Sequence, residues 1–315
     1  MHYFDIFGLT IASEIPLPES IKIQAVKSFD VKISFGEISF DLLSHPNTKN
    51  PGGLWHFCLP DKNRLYFRCN GVDFAVTFGN SIVIDSHGQP YDEARLRIFT
   101  LGTAIGGIHI QRGNLPVHGT AVENTDGVTI ITGFSGVGKS AILGALTQMG
   151  YRYLSDDVSI VKIENETPVV LPAYPQRKIA IDTAQELGYS TTGLEIINED
   201  GRDKYVIRDP REWQNTPMPV RSILELVPIM RKDNSPFIPE LANISGHAAL
   251  SLVMRNLYRR AFYDQIGFPP EQMKKILVLT SSIQVMQMLR PLAGLPVAKT
   301  AQIIANKCFG RADNL

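Results

Sequence analysis

Residues 128–140 read Val-Thr-Ile-Ile-Thr-Gly-Phe-Ser-Gly-Val-Gly-Lys-Ser, and the last eight fit GxxxxGK[ST] at every fixed position. Val128–Thr132 is a continuous apolar, β-branched run, which is typical of a strand buried on both faces. The glycines let backbone N–H groups turn inward around phosphate oxygens. Ala141–Met149 predicts a helix, whose N-terminus adds a positive dipole end. The stretch therefore predicts a P-loop in an α/β setting.

The P-loop predicts the residues that hold a nucleoside triphosphate and its magnesium ion. Lys139 is expected to reach the β- and γ-phosphates, and the Ser140 hydroxyl is expected to ligate Mg²⁺. The remaining nucleotide contacts are expected from the loop and the first helical turn: Gly133, Ser135, Gly136, Val137, Gly138 and Ala141.

An acidic pair, Asp156-Asp157, follows this helix and precedes the predicted strand Val158–Ile163. A βαβ unit would bring that point of the chain back beside the P-loop. Phosphoryl transfer needs a carboxylate to hold Mg²⁺ and often a second one to take the hydroxyl proton. Two adjacent aspartates can divide these roles, and an ordinary acidic turn is the competing interpretation.

His118 lies on the predicted strand Val117–Val122, just before the P-loop strand. A histidine there can orient an aspartate, tune its pKa or approach the metal. A single histidine on an apolar strand is more often simply packed in the core. Its interest comes from the P-loop and the acidic pair that follow it.

Taken in order, His118-Gly119, the P-loop and Ser155-Asp156-Asp157 resemble the catalytic domain of HPr kinase/phosphorylase. The same plan appears more distantly in phosphoenolpyruvate carboxykinase. The resemblance is specific over residues 115–163. The whole chain also resembles the HPr-kinase-related proteins that are encoded beside lasso-peptide biosynthesis genes, where segments similar to Ile6–Ile11, Tyr174–Arg177 and Arg290-Pro291 recur.

The resemblance implies an α/β P-loop kinase core of the HPr kinase C-terminal type, which is phosphoenolpyruvate-carboxykinase-like, at residues 115–315. A β-rich N-terminal module at 1–90 and a connecting helix at 91–114 would precede it. The implied activity is an ATP- and Mg²⁺-dependent kinase whose partner is a peptide substrate. The acceptor would be a serine at the C-terminus of a precursor peptide.

The resemblance also assigns roles to the site residues. Asp156 would be the general base for the serine hydroxyl, and Asp157 would bind Mg²⁺ together with Ser140. His118 would support the two aspartates, and Lys139 would stabilise the charge of the transferred phosphate.

One departure from the HPr kinase pattern lies in the later loop, where its Arg-Gly-Leu-Gly-type signature is replaced by Tyr174-Pro175-Gln176-Arg177. The departure argues against HPr as substrate, the reverse phosphorylase reaction and a hexamer. Arg177 is a candidate contact for phosphate or an acidic substrate end. The alternative interpretation, that Arg177 is simply an exposed surface charge, has equal weight. For Arg290 the exposed-charge interpretation is favoured.

The rest of the chain gives a coarser pattern. Alternating or apolar runs predict strands at Ile6–Ile11, Val31–Phe35, Leu65–Arg68, Phe74–Phe78, Ser81–Asp85, Lys178–Ile181, Ile223–Leu226 and Ile283–Leu289. Helices are predicted at residues 91–112, Ala248–Phe262, Pro270–Ile276 and Pro296–Cys308. The polar residues 190–217 predict a mobile loop or lid.

Composition limits the class of protein. Lys+Arg and Asp+Glu both total 31, so the zero net charge argues against broad nucleic-acid binding. Three cysteines without a CxxC spacing favour free thiols and a reducing cytoplasm over a disulfide framework or zinc. No apolar run approaches the roughly 20 residues of a membrane helix, so no membrane partner is expected. A homo-oligomeric state stays open.

Two further classes of function compete with the peptide kinase. A nucleotide-dependent switch would need a residue that positions water, and none is assignable near Asp157. A small-molecule kinase stays open as a further alternative, whereas no residues suggest a phosphoenolpyruvate site. Base recognition has no local motif, so ATP and GTP both stay open.

Replacing Lys139 with alanine is expected to abolish phosphoryl transfer, because the change removes the charge that neutralises the phosphates. Mass spectrometry of the acceptor after incubation with Mg²⁺-ATP measures the effect. Transfer at the wild-type rate by Lys139→Ala would exclude this role.

Overall fold

The computed structural model describes residues 1–50, 55–199, 201–229, 239–291 and 295–309. The strands run in chain order: β1 His2–Ile6, β2 Leu9–Ser13, β3 Val31–Phe35, β4 His56–Asp61, β5 Arg64–Cys69, β6 Val72–Thr77, β7 Ser81–Asp85, β8 Leu115–Asn124, β9 Gly127–Gly133, β10 Tyr153–Ser155, β11 Val158–Glu164, β12 Thr167–Leu171, β13 Arg177–Ala180, β14 Ile196–Glu199, β15 Arg202–Ile207, β16 Met218–Ile229, β17 Leu241–Ile244 and β18 Gln284–Pro291. The helices are α1 Glu93–Phe99, α2 Ile105–Gln111, α3 Lys139–Gln148, α4 Ile181–Glu186, α5 Gly246–Arg255, α6 Arg260–Ile266, α7 Pro270–Ser282 and α8 Val297–Cys308. The chain is therefore mixed α/β, as the sequence predicts at that level.

The chain divides into two compact units. The first unit comprises Met1–Pro116 and Tyr258–Lys274, and the second comprises Val117–Leu257 and Lys275–Leu315. The grouping of Tyr258–Lys274 with the N-terminal residues is a finding that the sequence pattern did not indicate.

The first unit contains a seven-stranded sheet in the order β1-β2-β3-β7-β6-β5-β4. Strand β3 runs parallel to both of its neighbours, and β4 to β7 form an antiparallel meander. The prediction of a single strand at Ile6–Ile11 is wrong, because Phe7 and Gly8 form a turn between β1 and β2. Both turn residues have positive φ, 52° and 68°, the backbone of a tight two-residue hairpin.

The predicted helix at 91–112 is confirmed as one helical segment, with an internal irregularity. Asp92 caps its start by accepting a hydrogen bond from the Arg95 N–H. Between α1 and α2 the chain takes a π-helical turn, Thr100–Ala104. Gly102 and Gly106 lie against the ring of Tyr258 within the same unit, where a β-carbon on Gly102 would come within 3.0 Å of the phenol oxygen.

The second unit is built on a larger sheet with β9 at its centre. Strand β9 pairs antiparallel with β8 on one side and parallel with β16 on the other. Strand β18 continues the parallel arrangement beyond β16, and β17 adds an antiparallel edge. The hairpin of β11 and β12 adjoins β8 and the beginning of β16.

The core of the second unit lies between this sheet and the helices α3 and α8. Strand β9 is buried along its whole length, as its β-branched run predicts. Leu143 and Leu146 of α3 are fully buried with Ala301 and Ile304 of α8. This apolar layer holds the N-terminus of α3 at the end of β9.

The prediction of a polar loop at residues 190–217 is wrong. The segment contains β14 and β15, which form an antiparallel sheet with β13. Its polar composition comes from charged side chains that pair with each other, since Glu199 forms ion pairs with Lys178 and Lys204. In the sequence, a half-exposed strand with many charged residues looks like a solvated loop, because the pattern does not show which charges pair with each other.

The single helix predicted at Ala248–Phe262 is two helices, α5 and α6. Asn256 ends α5, Leu257 bridges to Val117 of the same unit, and Arg259 adopts a positive φ of 51°. The left-handed backbone at Arg259 cannot continue an α-helix.

None of the helices in the described parts of the chain is long and apolar enough to cross a membrane.

Cys58, Cys69 and Cys308 are free thiols, and the first two are buried. Burial raises the pKa of Cys69 to about 11 and that of Cys308 to about 12, so both thiols stay protonated and unreactive at neutral pH.

Replacing Leu146 with alanine is expected to lower the free energy of unfolding by about 2–5 kcal/mol, because it leaves a cavity under α3. The matched control is Leu277→Ala on α7, where the side chain is 49% exposed and a change within about 0.5 kcal/mol is expected. Urea unfolding followed by circular dichroism measures both. Equal losses for the two variants would show that Leu146 is not in the core.

Candidate phosphate-binding site

The position of the candidate site follows from strand β8, which pairs with β9 on one side and β10 on the other. Both partners are antiparallel to β8, so β9 and β10 point the same way and end at the same edge. Helix α3 thus connects β9 to β10, with β8 between them, whereas the predicted second strand of the βαβ unit, Val158–Ile163, corresponds to β11, which follows the acidic pair. Gly119 of β8 pairs with Thr132, and its N–H donates to the carbonyl oxygen of Asp157 at 3.0 Å. The acidic pair therefore lies beside the end of β9.

The turn between β9 and α3 has little room for side chains. A β-carbon on Gly133 would lie 2.6 Å from the carbonyl oxygen of Leu226, and one on Gly138 would lie 2.5 Å from Nη1 of Arg290. Gly136 and Gly138 also have φ values of +84° and +99°, which L side chains rarely adopt. Helix α3 begins directly after Gly138, and the N–H groups of its first turn have no partner within the helix. This arrangement suits an anion at the turn.

Lys139 is buried at the base of the turn, with 8% of its surface exposed. Its Nζ donates to the carbonyl oxygens of Gly133 at 2.8 Å and Phe134 at 3.3 Å, and lies 3.1 Å from Nε2 of His118. Burial lowers the pKa of the Lys139 ammonium, and the nearby carboxylates of Asp157 and Asp156 partly oppose that effect. An additional anion at the turn would stabilise the charged form further.

The two aspartates differ in their environments. Asp156 Oδ1 accepts a hydrogen bond from Ser140 Oγ at 3.2 Å, and its Oδ2 accepts one from the Lys178 N–H at 3.1 Å. Burial raises the pKa of Asp156. At Asp157 burial acts in the same direction, but the charges of Lys178, His118 and Lys139 outweigh it and lower the pKa.

His118 connects Lys139 with Asp157. Its Nδ1 lies 3.5 Å from Asp157 Oδ1. When the Lys139 ammonium donates to Nε2, the proton of a neutral imidazole must be on Nδ1, the atom that faces Asp157. The three side chains thus lie in a row, Lys139, His118 and Asp157, beside the end of β9.

A buried polar network holds the backbone of His118. The Thr132 hydroxyl lies 2.6 Å from the His118 carbonyl oxygen, and the His118 N–H donates to the Asn256 carbonyl oxygen at 2.8 Å. The Asn256 side-chain amide donates to Oε1 of Glu225 at 2.8 Å. Glu225 is 3% exposed and pairs with Arg255, so its charge is compensated. The network links β8, β9, β16 and α5 under the site.

Three charged residues outside the predicted site set approach the acidic pair. Glu199 lies between Lys178 and Lys204, with oxygen–nitrogen distances of 2.5 Å and 2.6 Å. Burial opposes the ionisation of Glu199, but the attraction of these two ammonium groups is stronger and its pKa is lowered. Since β14 and β15 read as loop, the only sequence signal for this cluster was the basic pair Arg177-Lys178.

The structure places Arg177 in a buried ion pair. It is 1% exposed, and its Nε donates to Glu212 Oε2 at 2.8 Å while Nη2 donates to the Tyr189 hydroxyl at 3.0 Å. The exposed-charge alternative for Arg177 is therefore wrong. It is also wrong for Arg290, which is 7% exposed and donates to the carbonyl oxygen of Val137.

The structure thus brings His118, Lys139, Ser140, Asp156 and Asp157 together at the end of β9. A hydroxyl and carboxylate oxygens are hard ligands that suit Mg²⁺, which commonly takes one or two protein oxygens besides phosphate and water. Within the described residues no group of three or more His, Cys, Asp or Glu side chains could hold a metal by itself.

Comparison with protein-family models finds no match, and no curated protein matches the chain. Among solved structures, the Hpr(Ser) kinase/phosphatase from Coxiella burnetii matches with a TM-score of 0.31 and 16% identity. The match covers 61% of this chain and 94% of that chain.

Replacing Glu199 with glutamine is expected to lower the free energy of unfolding at pH 7 by about 1–3 kcal/mol, because two half-buried ammonium groups lose their partner. A carboxyl with a lowered pKa stabilises the fold above its ordinary pKa of 4.5, and this contribution is lost as pH falls through the folded-state value. The difference between the proteins should therefore shrink below about pH 4.5. Urea unfolding over a pH series measures it.

The control is Glu195→Gln, since Glu195 is 40% exposed in its pair with Arg208 and a loss below about 1 kcal/mol is expected. A difference for Glu199→Gln that does not change with pH would contradict the charge argument.

Proposed function

We propose that this protein is a Mg²⁺- and ATP-dependent kinase that transfers the γ-phosphate to a serine hydroxyl of a peptide. The observation that carries the proposal is the convergence of a buried lysine, a serine and two aspartates at a glycine turn that begins a helix. The turn suits a polyanion, and the aspartates suit a metal ion and a proton. A P-loop without the acidic pair would suggest nucleotide binding alone.

In the proposed reaction the bond between the γ-phosphorus and its bridging oxygen breaks, and a bond to the serine oxygen forms. The serine proton passes to Asp156, and ADP leaves with the bridging oxygen. Lys139 neutralises charge on the phosphates, and the N–H groups at the start of α3 hold them. Mg²⁺, held by Ser140 and Asp157, would supply further neutralisation of the triphosphate.

The division of roles between the aspartates follows from their opposite pKa shifts. Burial raises the pKa of Asp156, which makes its carboxylate a stronger proton acceptor. Asp157 has a lowered pKa because the charges of Lys178, His118 and Lys139 outweigh its burial. A carboxylate that stays ionised suits a metal ion. His118 would hold Asp157 in place through Nδ1.

The choice of a peptide as acceptor rests on three observations. The sequence resembles the kinases of lasso-peptide clusters over its whole length, and it lacks the signature associated with HPr. In the structure, Phe134 is 71% exposed at the glycine turn, which offers apolar surface to an acceptor larger than water. The proposed acceptor is the C-terminal serine of a lasso precursor peptide.

The proposal predicts that Asp156→Asn binds nucleotide normally and loses transfer by at least about 100-fold, because an amide cannot accept the serine proton. The assay combines the full chain, Mg²⁺-ATP and precursor peptides that end in serine, with HPr as a comparison acceptor. Mass spectrometry follows the gain of phosphate on each acceptor, and titration calorimetry follows nucleotide binding.

The comparison variant is Asp157→Asn, which should weaken the Mg²⁺-dependent part of nucleotide binding. Retained transfer by Asp156→Asn would exclude Asp156 as the base. Steady ATP hydrolysis without phosphate on any acceptor would contradict the kinase and favour a nucleotide switch.

A further inference from the structure

Arg202 lies against the glycine turn although it is far from it in sequence. It is the first residue of β15, and both terminal nitrogens of its guanidinium lie 3.4 Å from the point where a β-carbon of Gly136 would be. Gly136 is the middle glycine of the turn, between the end of β9 and the start of α3. The guanidinium therefore lies within van der Waals range of the turn, and it is the positive φ of 84° that makes glycine the suitable residue at position 136.

The position of Arg202 is set by the hairpin of β14 and β15. In the register of that hairpin Arg202 is opposite Glu199, which binds Lys178 and Lys204. The N–H of Lys178 in turn donates to Asp156 at 3.1 Å. The hairpin that contains Arg202 is thus connected to the acidic pair through Lys178, whose side chain pairs with Glu199 and whose N–H donates to Asp156.

The direction of the Arg202 side chain agrees with strand geometry. Residues two apart on a strand face the same side, and Arg202 shares its side with Lys204. The charge of Lys204 lies close enough to Asp157 to contribute to the lowering of its pKa. Lys204 therefore lies towards the acidic pair, and Arg202 lies towards the glycine turn.

The turn is consequently surrounded by positive charge. Lys139 lies beneath it, Arg290 lies against Gly138, and Arg202 lies against Gly136. Arg290 already donates to the carbonyl oxygen of Val137 and is buried, so its role is to shape the turn. Arg202 is exposed and forms no ion pair with any residue that the structure describes. The carboxylates of Asp157 and Asp156 already act on Lys139, whereas the charge of Arg202 is left to attract an anion bound at the turn.

We propose that Arg202 contacts the γ-phosphate of the bound triphosphate and stabilises the charge that develops during transfer. This inference rests on the proposed kinase function. As the bond from the γ-phosphorus to the bridging oxygen breaks, negative charge grows on that oxygen and on the leaving ADP. A guanidinium supplied within the same chain can neutralise this charge, and such arginines contribute about 10³–10⁵-fold to the rate in other nucleotide enzymes.

The test compares Arg202→Ala and Arg202→Lys with the matched control Arg208→Ala. Arg208 follows β15 and pairs with Glu195 at 2.9 Å. Calorimetry on the full chain measures the affinity for Mg²⁺-ADP and for the Mg²⁺ complex of the β,γ-imido analogue of ATP. The transfer rate is measured separately by mass spectrometry with the serine peptide.

Arg202→Ala is expected to weaken binding of the triphosphate analogue by about tenfold, as suits the loss of a charge-assisted hydrogen bond. Its affinity for ADP should stay within about twofold, because the lost contact is to the γ-phosphate. Transfer should fall by about 10³-fold. Arg202→Lys should recover only part of both, since an ammonium does not bridge two oxygens, and Arg208→Ala should behave as wild type.

The outcomes separate the two proposals. In one outcome the wild type binds nucleotide, and Arg202→Ala binds both the triphosphate analogue and ADP as tightly as Arg208→Ala does. This outcome would overturn the role of Arg202 and leave the proposed kinase function standing. Absence of nucleotide binding by the wild type would overturn both. Equal weakening of ADP and triphosphate binding by Arg202→Ala would show that Arg202 only shapes the turn, and would also overturn its role at the γ-phosphate.

Discussion

The candidate site depends on the pairing of strand β8, which is hydrogen-bonded to β9 on one side and to β10 on the other. Both strands are antiparallel to β8, so their C-terminal ends meet at one edge of the sheet. The glycine turn follows β9 and the acidic pair follows β10. Gly119 is essential to this pairing, since a β-carbon there would lie 2.6 Å from the carbonyl oxygen of Ile131.

The charges around this edge form one connected system. Lys139 is held by loop carbonyls and faces His118, which faces Asp157. The β13–β15 sheet adds Lys178, Glu199 and Lys204, and it connects to Asp156 through a backbone N–H. The cations oppose the effect of burial on Asp157, whereas burial prevails at Asp156. Two adjacent carboxyl groups thus acquire opposite pKa shifts, which is what distinct roles in proton transfer and metal binding require.

Sequence reasoning located most strands and helices because their apolar pattern is local. It missed the Phe7-Gly8 turn, since a two-residue turn between two apolar strands leaves the run nearly continuous. It also missed β14 and β15, because Glu199 of β14 pairs with Lys178, which is 21 residues away in the sequence. The end of the helix at Asn256 was hidden for a similar reason, because its backbone bonds are to residues distant in sequence. The Asn256 carbonyl oxygen accepts a hydrogen bond from the His118 N–H, and the Tyr258 N–H donates to the Pro116 carbonyl oxygen.

The amino-acid sequence by itself determined the glycine turn and its strand–turn–helix context, because these depend on residues that are neighbours in the chain. It also indicated that His118 and the two aspartates belong with that turn, by their order and by resemblance to known kinases. Only the tertiary structure decided that Arg177 is buried in an ion pair with Glu212 and that Arg202 lies against Gly136. Side-chain partners across a sheet depend on register and pairing, which act over long separations and leave no periodic signal in the sequence.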